Sequence, residues 1–211
     1  MEERETLKSG TTTVGIVCQD GIVLAADKRA TAGNFIANKK AKKLFEITDN
    51  MVITTAGSVS DVQLLLKLIK AEIKLKFLRT NRESNVKETA NLLAGMIYAN
   101  IRKLSLIPGI SHFILGGKDK FGFHVYDLFA DGSLQDCDEF ISSGSGSVMA
   151  YGVLDTLYKK DITVKQGVEL AVKAVNAALQ RDTATGEGID VMTITKDGVK
   201  TVLEKELKTT L

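Results

Sequence analysis

The sequence predicts an α+β fold in which two antiparallel sheets stack on each other and helices cover their outer faces. Three observations carry this. Strand-like runs, two helices, strand-like runs, two more helices and a last pair of strands follow one another, which is not the strict alternation of a doubly wound parallel sheet. The strand-like runs are joined by short hairpin-type turns such as Gln19-Asp20-Gly21 and Asp49-Asn50. The intervening segments show helical spacing, and two carry a capping-box signature, Asn85 with Glu88 and Thr163 with Gln166.

Taken in order, Thr12–Cys18 and Gly21–Asp27 (GIVLAAD) form the first hairpin, and Lys28–Gly33 reads as a polar loop. Lys43–Thr48 and Met51–Ala56 form the second hairpin, with Gly57 marking a sharp exit. Asp61–Arg79 places Val62, Leu65, Leu66, Ile69, Ile73 and Phe77 on one helical face, with lysines mostly opposite. A second helix starts after Asn85 and runs to about Ser105, before the only proline, in Pro108-Gly109. His112–Gly117, Phe123–Phe129 and Glu139–Ser142 are the next strands. Ser143-Gly144-Ser145-Gly146-Ser147 leads into a helix over Val148–Tyr158, and the Thr163 cap opens another that reaches Gln180. Ile189–Thr195, the turn Lys196-Asp197-Gly198 and Val199–Glu204 close the chain. With no internal linker, repeat or low-complexity segment, the chain reads as one domain.

Length and composition agree with this. The chain has 211 residues, 44% hydrophobic and 26% charged, enough for one sizeable core. A formal net charge of +2 and 6% aromatics, with no Trp, give no electrostatic or stacking case for nucleic acid. Cys18 and Cys137 are isolated and read as reduced, buried thiols, and His112 and His124 both lie in strand-like sequence. The charged start Met1-Glu2-Glu3-Arg4-Glu5 lacks the apolar core of a signal peptide, and no apolar run is long enough to span a membrane. A cytoplasmic protein without membrane contact is the expectation. The first ten residues read as an exposed extension, either a tail or a removable propeptide.

Within that frame the stretch Ser9-Gly10-Thr11-Thr12-Thr13-Val14-Gly15 carries the chemistry. Threonine favours strands in any case, so the bland reading is a strand after a tail. Cutting the Gly10–Thr11 bond, however, makes Thr11 an N-terminus that carries both a hydroxyl nucleophile and an amine base. A free α-amine titrates at about pH 8, so its neutral form is available to take the hydroxyl proton. Gly10 offers no side chain to obstruct Thr11 Oγ at its carbonyl.

Partners for such a nucleophile are present. Asp27 ends the strand paired with that of Thr11, and Lys43 supplies a positive charge that favours hydroxyl deprotonation. Gly57 offers a strand-end backbone N–H as oxyanion donor. The Ser143–Ser147 run supplies hydroxyls at the positive end of a helix dipole, and Arg181-Asp182-Thr183-Ala184-Thr185-Gly186 adds a carboxylate and further hydroxyls. Singly, each has a commoner structural use: a turn aspartate, a solvated lysine, a flexible Gly-Ser loop. The GSGS run lacks the Lys-[Ser/Thr] of a phosphate loop, so nucleotide binding is disfavoured.

In their joint order and spacing these pieces resemble the archaeal-type proteasome β subunits, across essentially the full chain. The matching stretches are Gly10–Gly15, Asp27-Lys28-Arg29, Lys43-Leu44-Phe45, Thr55-Ala56-Gly57, Gly144-Ser145-Gly146-Ser147, Tyr151-Gly152-Val153-Leu154 and Arg181-Asp182. The resemblance implies a four-layer αββα sandwich and an N-terminal-nucleophile hydrolase. It makes Thr11 the nucleophile with its freed amine as base, Asp27 and Lys43 the activating pair, Gly57 the oxyanion donor, and Ser145 and Asp182 supporting residues. Where the family has serine three residues after that aspartate, this chain has Thr185, which keeps a hydroxyl and adds a methyl. Residues 1–10 become a propeptide removed by self-cleavage, and 11–211 the catalytic domain.

A pocket lined by Ala30, Ala41, Thr55 and Val59 is implied too. It bears no charge, so broad, chymotrypsin-like cleavage after apolar residues is expected. Implied partners are other β subunits in a heptameric ring, an opposing β ring, outer α subunits, unfolded polypeptide substrates and, through the α ring, a regulatory ATPase. No metal or organic cofactor is needed for the chemistry. A poorly active ring-filling subunit, a bacterial two-ring protease or a small-molecule amidase of the same catalytic class are the competing readings.

Overall fold

A computed structural model describes residues 10–106 and 108–207; residues 1–9 of the expected propeptide lie outside the described residues. Among the described residues, twelve strands and four helices build two five-stranded sheets and a small hairpin. The first sheet is ordered β10-β1-β2-β11-β12, from Phe140–Ser143, Thr13–Cys18, Gly21–Asp27, Gly188–Thr195 and Gly198–Glu206. The second is ordered β5-β6-β7-β8-β9, from Leu44–Thr48, Met51–Gly57, Ser111–Asp119, Gly122–Leu128 and Leu134–Cys137. Every pairing in both sheets is antiparallel. Helices α1 (Val59–Thr80) and α2 (Val86–Ile101) pack on the second sheet, and α3 (Ser147–Leu157) and α4 (Val164–Arg181) on the first. This is the predicted four-layer α+β sandwich.

Side-chain alternation along the central strands explains the layers. β2 is buried from end to end because it is covered on both faces. Its Ile22, Leu24 and Ala26 meet Val52, Ile114 and Val125 of the second sheet, while Val23 and Ala25 face Leu170, Ala171 and Ala174 of α4. β6 does the same in mirror fashion, with Val52 toward the sheet interface and Met51 and Ile53 toward Leu65, Ile69 and Ile97. Each large side chain removed from water here contributes about 2 kcal/mol, so the three apolar layers outweigh the weak helix amphipathicity of α1.

Both capping boxes form as read: Asn85 Oδ1 accepts from Glu88 N at 2.7 Å, and Thr163 Oγ1 from Gln166 N at 3.4 Å. Three elements differ from the sequence reading. The polar loop after Asp27 holds a hairpin, β3 (Ala30–Ala32) with β4 (Phe35–Asn38), turned at Gly33 with φ +59°. β9 pairs with β8 although Gln135 and Asp136 are poor strand formers, because Leu128 and Leu134 face each other across the ladder. α2 stops at Ile101, four residues short of Ser105. Phe77, assigned to the core face of α1, is 37% exposed.

The two thiols are chemically quiet. Burial pushes Cys18 up to about 12 and Cys137 up to about 11, so little thiolate exists at neutral pH. Alkylation at mildly alkaline pH should label neither cysteine in the folded chain and both once urea unfolds it. Rapid labelling of Cys18 in the native protein would contradict this burial.

Candidate active site

The β1–β2 hairpin brings the ends of the chemistry together. Its register pairs Thr13 with Ala26, and Asp27 N donates to Thr12 O at 3.1 Å, so the Asp27 side chain starts beside Thr12. Asp27 Oδ1 accepts from Thr12 N at 2.9 Å and from Lys43 Nζ at 2.7 Å. Its Oδ2 accepts from Arg29 N and Gly186 N, both at 3.0 Å. Asp27 is 0% exposed, and a carboxylate so buried is tolerated only when its lone pairs are occupied this fully.

Lys43 enters β5 and is buried, its carbonyl accepting from Thr55 N at 3.0 Å. Its Nζ reaches Asp27 and, at 3.4 Å, the Gly10 carbonyl oxygen. Burial holds the Lys43 ammonium below its ordinary pKa, against the attraction of Asp27 and, more weakly, Asp182. The nearby Arg29 charge pushes it the same way as burial.

Thr11 is 5% exposed, and its Oγ1 donates to the Gly10 carbonyl oxygen at 2.7 Å. Lys43 and the Thr11 hydroxyl therefore converge on one oxygen. Thr11 N donates to Ser145 Oγ at 3.2 Å, and Thr11 O accepts from Gly146 N at 3.3 Å. Ser145 Oγ in turn donates to Asp182 Oδ2 at 2.5 Å, and Thr185 Oγ1 donates to the same oxygen at 2.6 Å. Each hydroxyl has one proton, so both are committed to Asp182. The 2.6 Å contact between Thr12 Oγ1 and Thr185 Oγ1 then has Thr12 as its donor. The chain of bonds orders both threonines around the Thr11 nitrogen, with the added Thr185 methyl accommodated in a buried position.

Gly57 closes β6 at φ +109°, with the Ile110 carbonyl where a Cβ would stand, so only glycine takes this bend. Of the residues expected to line the pocket, Ala30 lies in the β3–β4 hairpin, Ala41 N donates to Lys28 O at 2.9 Å, and Thr55 N donates to Lys43 O at 3.0 Å. Val59, the first residue of α1, is 57% exposed.

Sequence reading missed several groups here. Thr31 Oγ1 accepts from Gly10 N at 3.0 Å. Arg29 donates to Thr183 O at 2.8 Å and pairs with Glu187 at 3.0 Å. Its guanidinium lies against Gly186, where an added Cβ would overlap it. Lys28 is buried and bound to Asp190 at 2.8 Å. Asp27, Lys28 and Arg29 together pin the loop 182–188 to β2, and the motif Asp27-Lys28-Arg29 was the available signal. The histidines pair with second-sheet carboxylates, His112 with Asp127 at 2.5 Å and His124 with Asp119 at 3.5 Å. Among the described residues no group of His, Cys, Asp and Glu is placed to hold a metal, and no helix is long and apolar enough to cross a membrane.

A buried Lys–Asp pair, a threonine hydroxyl on the carbonyl of the preceding glycine, and a serine–aspartate wall at the threonine nitrogen can support acyl transfer to that hydroxyl. The family model described as "Proteasome subunit" matches residues 7–194. The chain is 44% identical to the "Proteasome subunit beta" of Ferroglobus placidus over 96% of its own length and 94% of that protein. It is 44% identical to that of Methanosarcina barkeri over 99% and 96%. To that of Methanococcoides burtonii it is 46% identical over 93% and 91%. With a family model spanning most of the chain and relatives this similar over nearly full length, the chain belongs to the proteasome subunit family, among the β subunits of archaeal type.

Proposed function

We propose that this chain is a catalytic β subunit of a proteasome core particle, a threonine endopeptidase that degrades unfolded polypeptides in the cytoplasm. Residues 1–10 act as its propeptide and 11–211 as its catalytic domain. The observation that carries the reading is the convergence of Thr11 Oγ1, at 2.7 Å, and Lys43 Nζ, at 3.4 Å, on the Gly10 carbonyl oxygen.

In self-cleavage Thr11 Oγ bonds to the Gly10 carbonyl carbon, the bond from that carbon to Thr11 N breaks, and the hydroxyl proton ends on the freed nitrogen. Water then hydrolyses the ester, leaving a carboxylate on Gly10 and restoring the Thr11 hydroxyl. While the amine is locked in the peptide bond, Lys43 is the group that receives the proton: its Nζ and the Thr11 hydroxyl share the Gly10 carbonyl oxygen, and burial favours its neutral form. Once freed, the Thr11 amine takes over as base, held toward Ser145 by the contact its N–H already makes. Asp27 keeps Lys43 in place, and Asp182 with Thr185 fixes the serine wall. The Gly57 N–H is the oxyanion donor by family resemblance, a role whose loss typically costs about 10²–10³-fold in rate.

The pocket of Ala30, Ala41, Thr55 and Val59 presents no charge to a substrate side chain, which favours cleavage after apolar residues. Ring neighbours of the same type, an opposing β ring, outer α subunits and, through them, a regulatory ATPase complete the assembly. The test is the intact mass of chain assembled with α subunits, together with fluorogenic peptides ending in apolar, basic or acidic residues. Loss of residues 1–10 and fastest cleavage after apolar residues are expected. A particle that keeps Gly10 on Thr11 would instead be a ring-filling subunit, and a basic preference would overturn the pocket.

A further inference from the structure

Gly10 is held on three sides. Its N–H donates to Thr31 Oγ1 at 3.0 Å, and its carbonyl oxygen is met by Thr11 and Lys43. Its α-carbon packs against Ala184, so that a Cβ added there would overlap the Ala184 methyl and stand 2.9 Å from Ser145 Oγ. Neither wall is free to retreat. Thr31 belongs to the β3–β4 hairpin. Ala184 sits in a loop whose N–H groups at 184 and 185 bond back to Asp182, and whose Gly186 N–H bonds to Asp27.

We propose that Thr31 and Ala184 form a clamp that positions the Gly10 peptide unit for self-cleavage. In this clamp the Ala184 methyl restricts the residue before the cut to glycine. The inference rests on the self-cleavage reading above and assigns its positioning residues. Outside the chain neighbours of Gly10, the atom that a Cβ there would meet first is the Ala184 methyl. The steric demand therefore comes from residue 184. A near-attack arrangement tolerates little displacement, and an error of about 1 Å costs on the order of 100-fold in rate. Thr31 supplies the second constraint: with its acceptor removed, a buried N–H loses its partner and the Gly10 unit can rotate.

The experiment follows self-cleavage by intact mass after mixing the full chain with α subunits, with thermal midpoints recorded for every variant. Gly10→Ala should slow cleavage by on the order of 100-fold. Adding Ala184→Gly to Gly10→Ala should recover most of that loss, short of the wild-type rate because Ser145 Oγ still has to yield. Thr31→Val should slow cleavage about tenfold, the equivalent of one lost hydrogen bond, and Thr31→Ser should restore it. A double variant as slow as Gly10→Ala with the same midpoint overturns the role of Ala184. Thr31→Val at wild-type rate overturns the role of Thr31, and this pair of variants decides if the double variant fails to assemble. A wild-type chain that never loses residues 1–10 overturns the self-cleavage reading itself, and the clamp with it.

Discussion

Thr11→Ala will assemble with a folded core yet keep residues 1–10 and lose peptidase activity by on the order of 10⁴-fold or more. The expectation of an intact fold comes from the hydrogen-bond inventory. Thr11 Oγ1 donates only to the Gly10 carbonyl, while the bonds that seat the residue, to Ser145 Oγ and from Gly146 N, use its backbone. Alanine keeps all of these, so the thermal midpoint should move little. Catalysis has no such substitute, since no other hydroxyl is seen to bond the Gly10 carbonyl among the described residues. Thr12 Oγ1 is committed to Thr185, and Thr13 Oγ1 points to Ser143 O at 3.4 Å. Thr11→Ser separates the hydroxyl from the methyl. It should cleave itself and peptides more slowly than wild type, because serine lacks the χ1 stiffness of a β-branched side chain. Intact mass and a fluorogenic peptide assay read both variants. Processing of Thr11→Ala at the same bond would show that another chain, or another residue, makes the cut.

How much of this was legible in the sequence depends on the range of the interaction. The two capping boxes and the GIVLAAD strand are local patterns, and they formed at the residues where they were read. The β3–β4 hairpin was not visible because Ala30-Thr31-Ala32 is too short to show alternation, and its stability comes from contacts made after folding. Thr11, Asp27 and Lys43 were recoverable because their residue types suit one chemistry and the first hairpin forces two of them together. Thr31, Ala184 and Gly186 were not, and Arg29 was signalled only as part of the Asp27-Lys28-Arg29 motif. Their contacts join residues up to 159 positions apart in the chain, as between Asp27 and Gly186. An alanine whose methyl acts only by occupying space leaves no local signature at all.

Lys43→Arg is the sharpest test of what the buried cation does, because it keeps a positive charge and removes the capacity to take up a proton. If Lys43 serves as the base in the unprocessed chain, arginine should abolish self-cleavage by about 10²–10⁴-fold, the usual share of a general base. Arginine retaining more than a tenth of the rate would mean that Lys43 acts by charge alone. The pH profile supplies an independent reading. Burial lowers the Lys43 pKa from its ordinary 10.5, so the rate of self-cleavage should climb with pH through a range below that value. Asp27 opposes this lowering, being the strongest group that raises it. Asp27→Asn removes that opposition, so the ascending limb should move to lower pH, not higher. The same variant turns an amide N–H₂ toward the Arg29 and Gly186 N–H groups, or toward Thr12 N and Lys43 Nζ if it flips. Either way donors face donors in a dry site, and the loss of stability should be about 3 kcal/mol. A limb that moves upward in Asp27→Asn, or does not move, would mean that the titrating group is not Lys43. A limb that moves down with the fold destabilised assigns Asp27 two separable tasks, holding the loop 182–188 against β2 and setting the proton affinity of the lysine beside Thr11.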